Sequence, residues 1–229
     1  MEGFSFLIQR FFISFISGCI ITLYGRIYIP WIKNLLSDTL VFAIVSIFFG
    51  VFIEGLLQIG AEQCFKSSGK TKSFSQCFLY YIFETPTIFK VSKDLDCLKD
   101  QQMNPMNGFI NEIGLDNSPR GKTYDAVARC AMAIESTGKM HNLYRYRDTS
   151  FMLQMTRMSF IIIGFVSMIH GIYVKSFFKF LCASLLLFVF SEIMRWMSYN
   201  MGKRYIRELG EMWEAIKIGD KFLCIEKRN

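Results

Sequence analysis

No catalytic or metal-binding motif is recognisable in this sequence, and that absence narrows what the chain can be. Gly69-Lys70-Thr71 and Gly121-Lys122-Thr123 each copy the end of a phosphate-binding P-loop, but the upstream glycine is replaced by Cys64 and by Asp116. No G-x-S-x-G, H-E-x-x-H or Rossmann pattern occurs. Histidine is down to two residues, His141 and His170, far apart in sequence, which argues against a His-rich metal site or a two-histidine catalytic pair. The seven cysteines include no C-x-x-C pair and are odd in number, so neither a disulfide framework nor a zinc knuckle is expected. They read as small buried hydrophobes in a reducing compartment. No early basic region and no small-residue cleavage site accompany the first apolar stretch, which is expected to be a retained span rather than a removed signal peptide. Neither an enzymatic activity nor a cofactor is expected.

What the chain does have is apolar surface. Of its 229 residues 52% are hydrophobic and 16% aromatic, with 24 Phe, and the mean hydropathy is +0.30. A chain this short builds only one or two modest cores, so a lipid bilayer is the simpler solvent for these side chains. The net charge of +7 suits anionic head groups or nucleic acid, with the asymmetry of membrane topology as the plainer explanation.

Four stretches approach the roughly 20 residues that a helix needs to cross about 30 Å of hydrocarbon. They are Phe4 to Tyr24, with Arg10 near one end; Thr39 to Ala61, with Glu54 as its single charge; Met158 to Val174, extendable backwards past Arg157; and Phe177 to Met197, which carries Glu192 and Arg195 toward its end. Tyr24, Tyr28, Trp31, Tyr173, Trp196 and Tyr199 flank them, as head-group aromatics do. The aromatic run Phe74 to Phe83 is too short to cross and reads as an interfacial or core helix.

Lys and Arg near the span ends set the orientation. The two short turns, about 25 to 38 and 171 to 179, carry four, Arg26, Lys33, Lys175 and Lys179, whereas the opposite side carries ten. The excess predicts a multi-pass inner-membrane protein with both termini cytoplasmic. The fold class expected is an all-α membrane protein. It comprises a first transmembrane hairpin (1–61), a mainly helical cytoplasmic segment (62–157), a second hairpin (158–197) and a short cytoplasmic tail (198–229).

The hairpin geometry pairs charges. Arg10 and Glu54 flank the first turn at nearly equal distance, and Arg157 and Glu192 flank the second, so each pair should sit at similar depth on adjacent helices. An ionised group within a span costs about 2.5 to 3.5 kcal/mol at the centre, and a partner lowers that cost. Separate snorkelling to water is the alternative, and a polar path lined by Glu54 and Glu192 is a third reading. Ser14, Ser17, Gly18, Gly50, Gly55, Gly164 and Ser167 offer small surfaces for helix packing or oligomer contacts, without a clean dimer motif.

In the middle segment, Thr87 to Met103 and Thr123 to Thr137 read as helices, the second with a stripe of Val127, Cys130, Ala131 and Ile134. Lys139 to Arg157 is expected to continue helically into the third span, its Arg145 and Arg147 placed to meet lipid phosphates, a phosphate-bearing ligand or, less expected, nucleic acid. After the fourth span, Asn200 to Ile216 reads as a helical extension carrying Tyr205, Leu209, Met212 and Trp213, and residues 215 to 226 as a small hairpin around Gly219-Asp220.

Spans at 4–24, 39–61, 158–174 and 177–197 around a basic helical segment give a layout that resembles the small membrane-disrupting effectors of bacterial anti-phage (abortive-infection) systems. The resemblance covers the layout only. It implies a protein held silent by a cytoplasmic partner or signal, then forming a homo-oligomer in the lipid bilayer that permeabilises the inner membrane. A non-toxic membrane anchor or sensor subunit and a small transporter are the alternatives.

Overall fold

The computed structural model describes residues 2–66, 87–97, 104–114, 121–135 and 141–226. Every regular element among them is a helix: α1 (Glu2–Tyr28), α2 (Pro30–Leu35), α3 (Thr39–Lys66), α4 (Thr87–Asp96), α5 (Asn107–Ile113), α6 (Lys122–Glu135), α7 (His141–Tyr173) and α8 (Phe177–Glu226). Four of them, α1, α3, α7 and α8, are long and apolar enough to cross a membrane. The Phe74 to Phe83 run lies outside the described residues.

Local signals explain the breaks. Pro30 opens α2 within its first turn, where a missing N–H is harmless. Asp38 then starts α3, its Oδ1 accepting the amides of Leu40 at 2.7 Å and Val41 at 3.3 Å. The turn from α7 to α8 is closed by the Ser176 amide donating to Gly171 O at 3.1 Å, with Lys175 in the left-handed region at φ 56°. Where no such signal intervenes, the helices run on past the apolar stretch. Thus α7 begins at His141 and α8 ends at Glu226. The hairpin expected at 215–226 is corrected by this: the segment is helical. Good helix formers around Gly219-Asp220 outweigh one glycine, worth about 1 kcal/mol against a helix.

The chain divides into two compact units, Met1–Thr85 with Phe151–Ser198, and Pro86–Ser150 with Tyr199–Asn229. The first contains α1 to α3 and the apolar parts of α7 and α8. Its large side chains point outward: among the described residues, all the exposed large hydrophobics except Ile113 and Met132 belong to it, including Phe12, Phe48, Leu186 and Phe178. Its buried positions are instead rich in small polar residues, Ser14, Ser17, Thr22, Ser46, Ser159 and Ser184 among them. Water would not select that distribution; hydrocarbon does, because burying a leucine among helices gains little when lipid is equally apolar, whereas small residues let helix backbones approach.

The second unit has the opposite, water-like organisation. Val91, Met106, Phe109, Ile110, Val127, Cys130, Ile134, Leu143, Tyr205, Ile206 and Leu209 form its core. The stripe read on α6 supplies Val127, Cys130 and Ile134 as fully buried members, and Tyr205 and Leu209 of the helical extension meet them, with Met212 and Trp213 packed alongside. Trp213 stands edge-on to Phe109 at 4.8 Å between ring centres.

Candidate functional site

In the first unit, α1 and α3 touch backbone to backbone. A methyl group built on Gly18 would fall 1.7 Å from Ser46 O, and one on Gly50 would fall 1.9 Å from Ser14 O. Position 14 therefore faces 50 and position 18 faces 46, an antiparallel register that carries position 10 to position 54. The pattern is a reciprocal small-xxx-small contact, Ser14/Gly18 on one helix and Ser46/Gly50 on the other. Ser14, Gly18 and Gly50 are among the small residues legible in the sequence and Ser46 is not, because the spacing of four is meaningful only once the partner helix is known.

Helix α7 lies beside α1 in parallel register. Ser159 Oγ donates to Ser17 O at 2.9 Å, and Ile13 joins Ile53, Met155, Met158 and Ile161 in one apolar cluster. Helix α8 returns antiparallel to α7: Ser184 Oγ lies 2.9 Å from Gly164 O and 2.8 Å from Phe180 O, sharing one proton between them. Interhelical bonds of this kind contribute on average about 0.6 kcal/mol each. The hydroxyls of Ser17 and Thr22 turn back to Ile13 O and Gly18 O, whereas the buried hydroxyls of Ser46 and Tyr24 have no hydrogen-bond partner among the described residues.

Charge enters this interior at a few points. Arg157, only 4% exposed, places Nη2 3.8 Å from Glu192 Oε1. Glu192 Oε2 in turn lies 2.9 Å from Nε of Arg195, one turn further along α8. Two guanidinium groups thus share one carboxylate. Arg157 and Glu192, the second pair read from the sequence, are brought together. Glu54 accepts a hydrogen bond from Ser14 Oγ at 3.2 Å; the side chain of Arg10 lies outside those described, so only the register places position 10 opposite it. Arg195 is the member that symmetry about the turn did not pick out. Its signal was the i,i+3 spacing from Glu192.

Arg145 and Arg147 are not a matched pair. Arg145 is exposed, whereas Arg147 lies over the Tyr144 ring at 4.5 Å and its Nε is 3.2 Å from Asp148. Tyr144 hydroxyl also bonds to Glu135, which ties α7 to the end of α6. Of the two, Arg145 is the one left exposed.

The second P-loop-like tripeptide has a structural task. Gly121 adopts φ 105°, and Thr123 donates its amide and its Oγ1 to Asp96 Oδ1 at 3.0 and 2.6 Å while accepting from Asn104 Nδ2 at 2.7 Å. The hydroxyl that would hold a metal in a P-loop is fully engaged. Among the described residues no group of His, Cys, Asp and Glu is arranged to hold a metal ion. Burial pushes the Cys130 thiol up to about 12, so this cysteine is an inert core residue.

Comparison with known protein families, curated proteins and solved structures gives no match to this chain.

Proposed function

We propose that the chain is a membrane-embedded effector of the anti-phage-defence type, which permeabilises the inner membrane when triggered. The observation that carries this reading is the polar interior of the first unit, with Ser14, Ser17, Ser46, Ser159 and Ser184 buried while phenylalanines and leucines face outward. The hydroxyls of Ser17, Ser159 and Ser184, bonded to helix carbonyls, exchange those bonds for bonds to water at little net cost, and the Ser46 hydroxyl, unpartnered among the described residues, gains one. A small parting of such helices, or their rearrangement in a homo-oligomer, leaves a wettable path, whereas a leucine-packed bundle leaves a dry one.

In this reading α1 with α3, and α7 with the first half of α8, are two transmembrane hairpins. The excess of Lys and Arg puts both termini and the second unit in the cytoplasm. Arg157 and Glu192 hold the closed arrangement, since separating them exposes a buried guanidinium to hydrocarbon. The second unit receives the trigger, a cytoplasmic protein or other signal. Inducible expression in a bacterium, following growth and entry of a membrane-impermeant dye, tests the proposal. Arrest with dye entry supports it.

The separately packed second unit favours one other reading, a non-toxic anchor or sensor subunit that recruits a cytoplasmic partner. A stable complex with no leakage and no arrest distinguishes it. A small transporter working through Glu54 and Glu192 would lose function, but not assembly, on replacing both with Gln.

A further inference from the structure

One face of α8 holds an open groove of about 640 Å³ lined by Leu185, Phe188, Val189, Glu192, Ile193 and Trp196. These positions recur every three or four residues, a strip about 16 Å long at 1.5 Å per residue. That is close to the depth of one hydrocarbon leaflet, half of about 30 Å. Leu185, Val189 and Ile193 are 55, 57 and 45% exposed and make the strip apolar along its length. Its end differs. Trp196 is 67% exposed there, and Arg157, Glu192 and Arg195 meet beside it. The Arg195 side chain is 38% exposed at this end.

We propose that this groove binds one anionic glycerophospholipid, an acyl chain lying along Leu185, Val189 and Ile193 and the phosphate meeting the Arg195 guanidinium. Length, apolarity and the order of features along the strip match such a lipid: chain contacts first, then an indole at the glycerol level, then a cation. Glu192 holds Arg195 Nε at 2.9 Å while the side chain stays 38% exposed, so the cation is positioned by the protein and still within reach of a phosphate. The proposal requires that α8 be embedded in a bilayer, and is independent of whether the chain permeabilises it.

The test is native mass spectrometry of the full chain, released from detergent after titration with phosphatidylglycerol or with phosphatidylcholine of the same acyl chains. One phosphatidylglycerol should be retained in preference to phosphatidylcholine. Arg195→Gln should weaken that retention roughly tenfold, the loss of one charge-assisted contact. Val189→Trp, a surface change that fills the groove, should weaken both lipids while the melting temperature stays near that of the parent. Equal retention of the two lipids, or phosphatidylglycerol binding untouched by both variants, overturns the proposal. So does a second copy of the chain in the groove, seen as a disulfide dimer of Leu185→Cys. Whether the chain is embedded at all is read separately, by its resistance to alkaline extraction from membranes.

Discussion

Gly50 lies against Ser14 so closely that a methyl group on its Cα would overlap the Ser14 carbonyl oxygen at 1.9 Å. The atom in the way is backbone, so no rotamer change relieves it.

Gly50→Ala and Gly18→Ala should therefore each force α1 from α3 and lower stability by about 1 to 3 kcal/mol, the usual range for overpacking. Gly55→Ala is the control: nothing lies within 4 Å of a methyl there, and it should be neutral or slightly stabilising. Thermal unfolding in detergent micelles checks all three. Equal effects at the three sites would contradict the close approach.

The charge cluster makes an asymmetric prediction. Glu192→Gln removes the carboxylate beside a guanidinium that is 4% exposed, whereas Arg195→Gln removes a group whose side chain is 38% exposed. The first substitution should lower the melting temperature clearly and the second little, because an exposed ion pair contributes only about 0 to 1 kcal/mol.

Lys175 turns the chain between α7 and α8 with a left-handed backbone that a side chain disfavours by about 1 to 2 kcal/mol. Lys175→Gly should raise the melting temperature, partly offset by the freedom glycine adds to the unfolded chain.

Cysteine chemistry reports on the second unit. Cys97 is exposed, while Cys130 is buried with its thiol pushed up to about 12. In single-cysteine variants a maleimide should modify Cys97 at neutral pH and leave Cys130 untouched until denaturant is added. The thiolate is the reactive form, and burial disfavours it at every pH below 12. Rapid labelling of native Cys130 would show that this core is not formed.

The four long helices were legible because lipid and water demand different composition, and runs such as Thr39 to Ala61 leave no second interpretation. Their ends were less so. A fall in hydropathy after Met197 marks where a membrane span stops but gives a helix no reason to stop, and α8 continues to Glu226. The same confusion produced the expected hairpin at 215–226, where one Gly-Asp pair was given the weight of a turn. The Arg157 and Glu192 pairing was visible because two residues equidistant from a tight turn meet on antiparallel helices. Arg147 shows a local signal that goes unread when it is paired with Arg145: its contacts, Tyr144 and Asp148, lie at i−3 and i+1 on the same helix, α7.

The most direct measurement is membrane potential in single bacterial cells after induction of the full chain, with its amount in the membrane fraction quantified in parallel. Depolarisation that rises with membrane level and precedes growth arrest is the expected result. An unchanged potential at high membrane levels, including in cells carrying the system that triggers it, would contradict a permeabilising role.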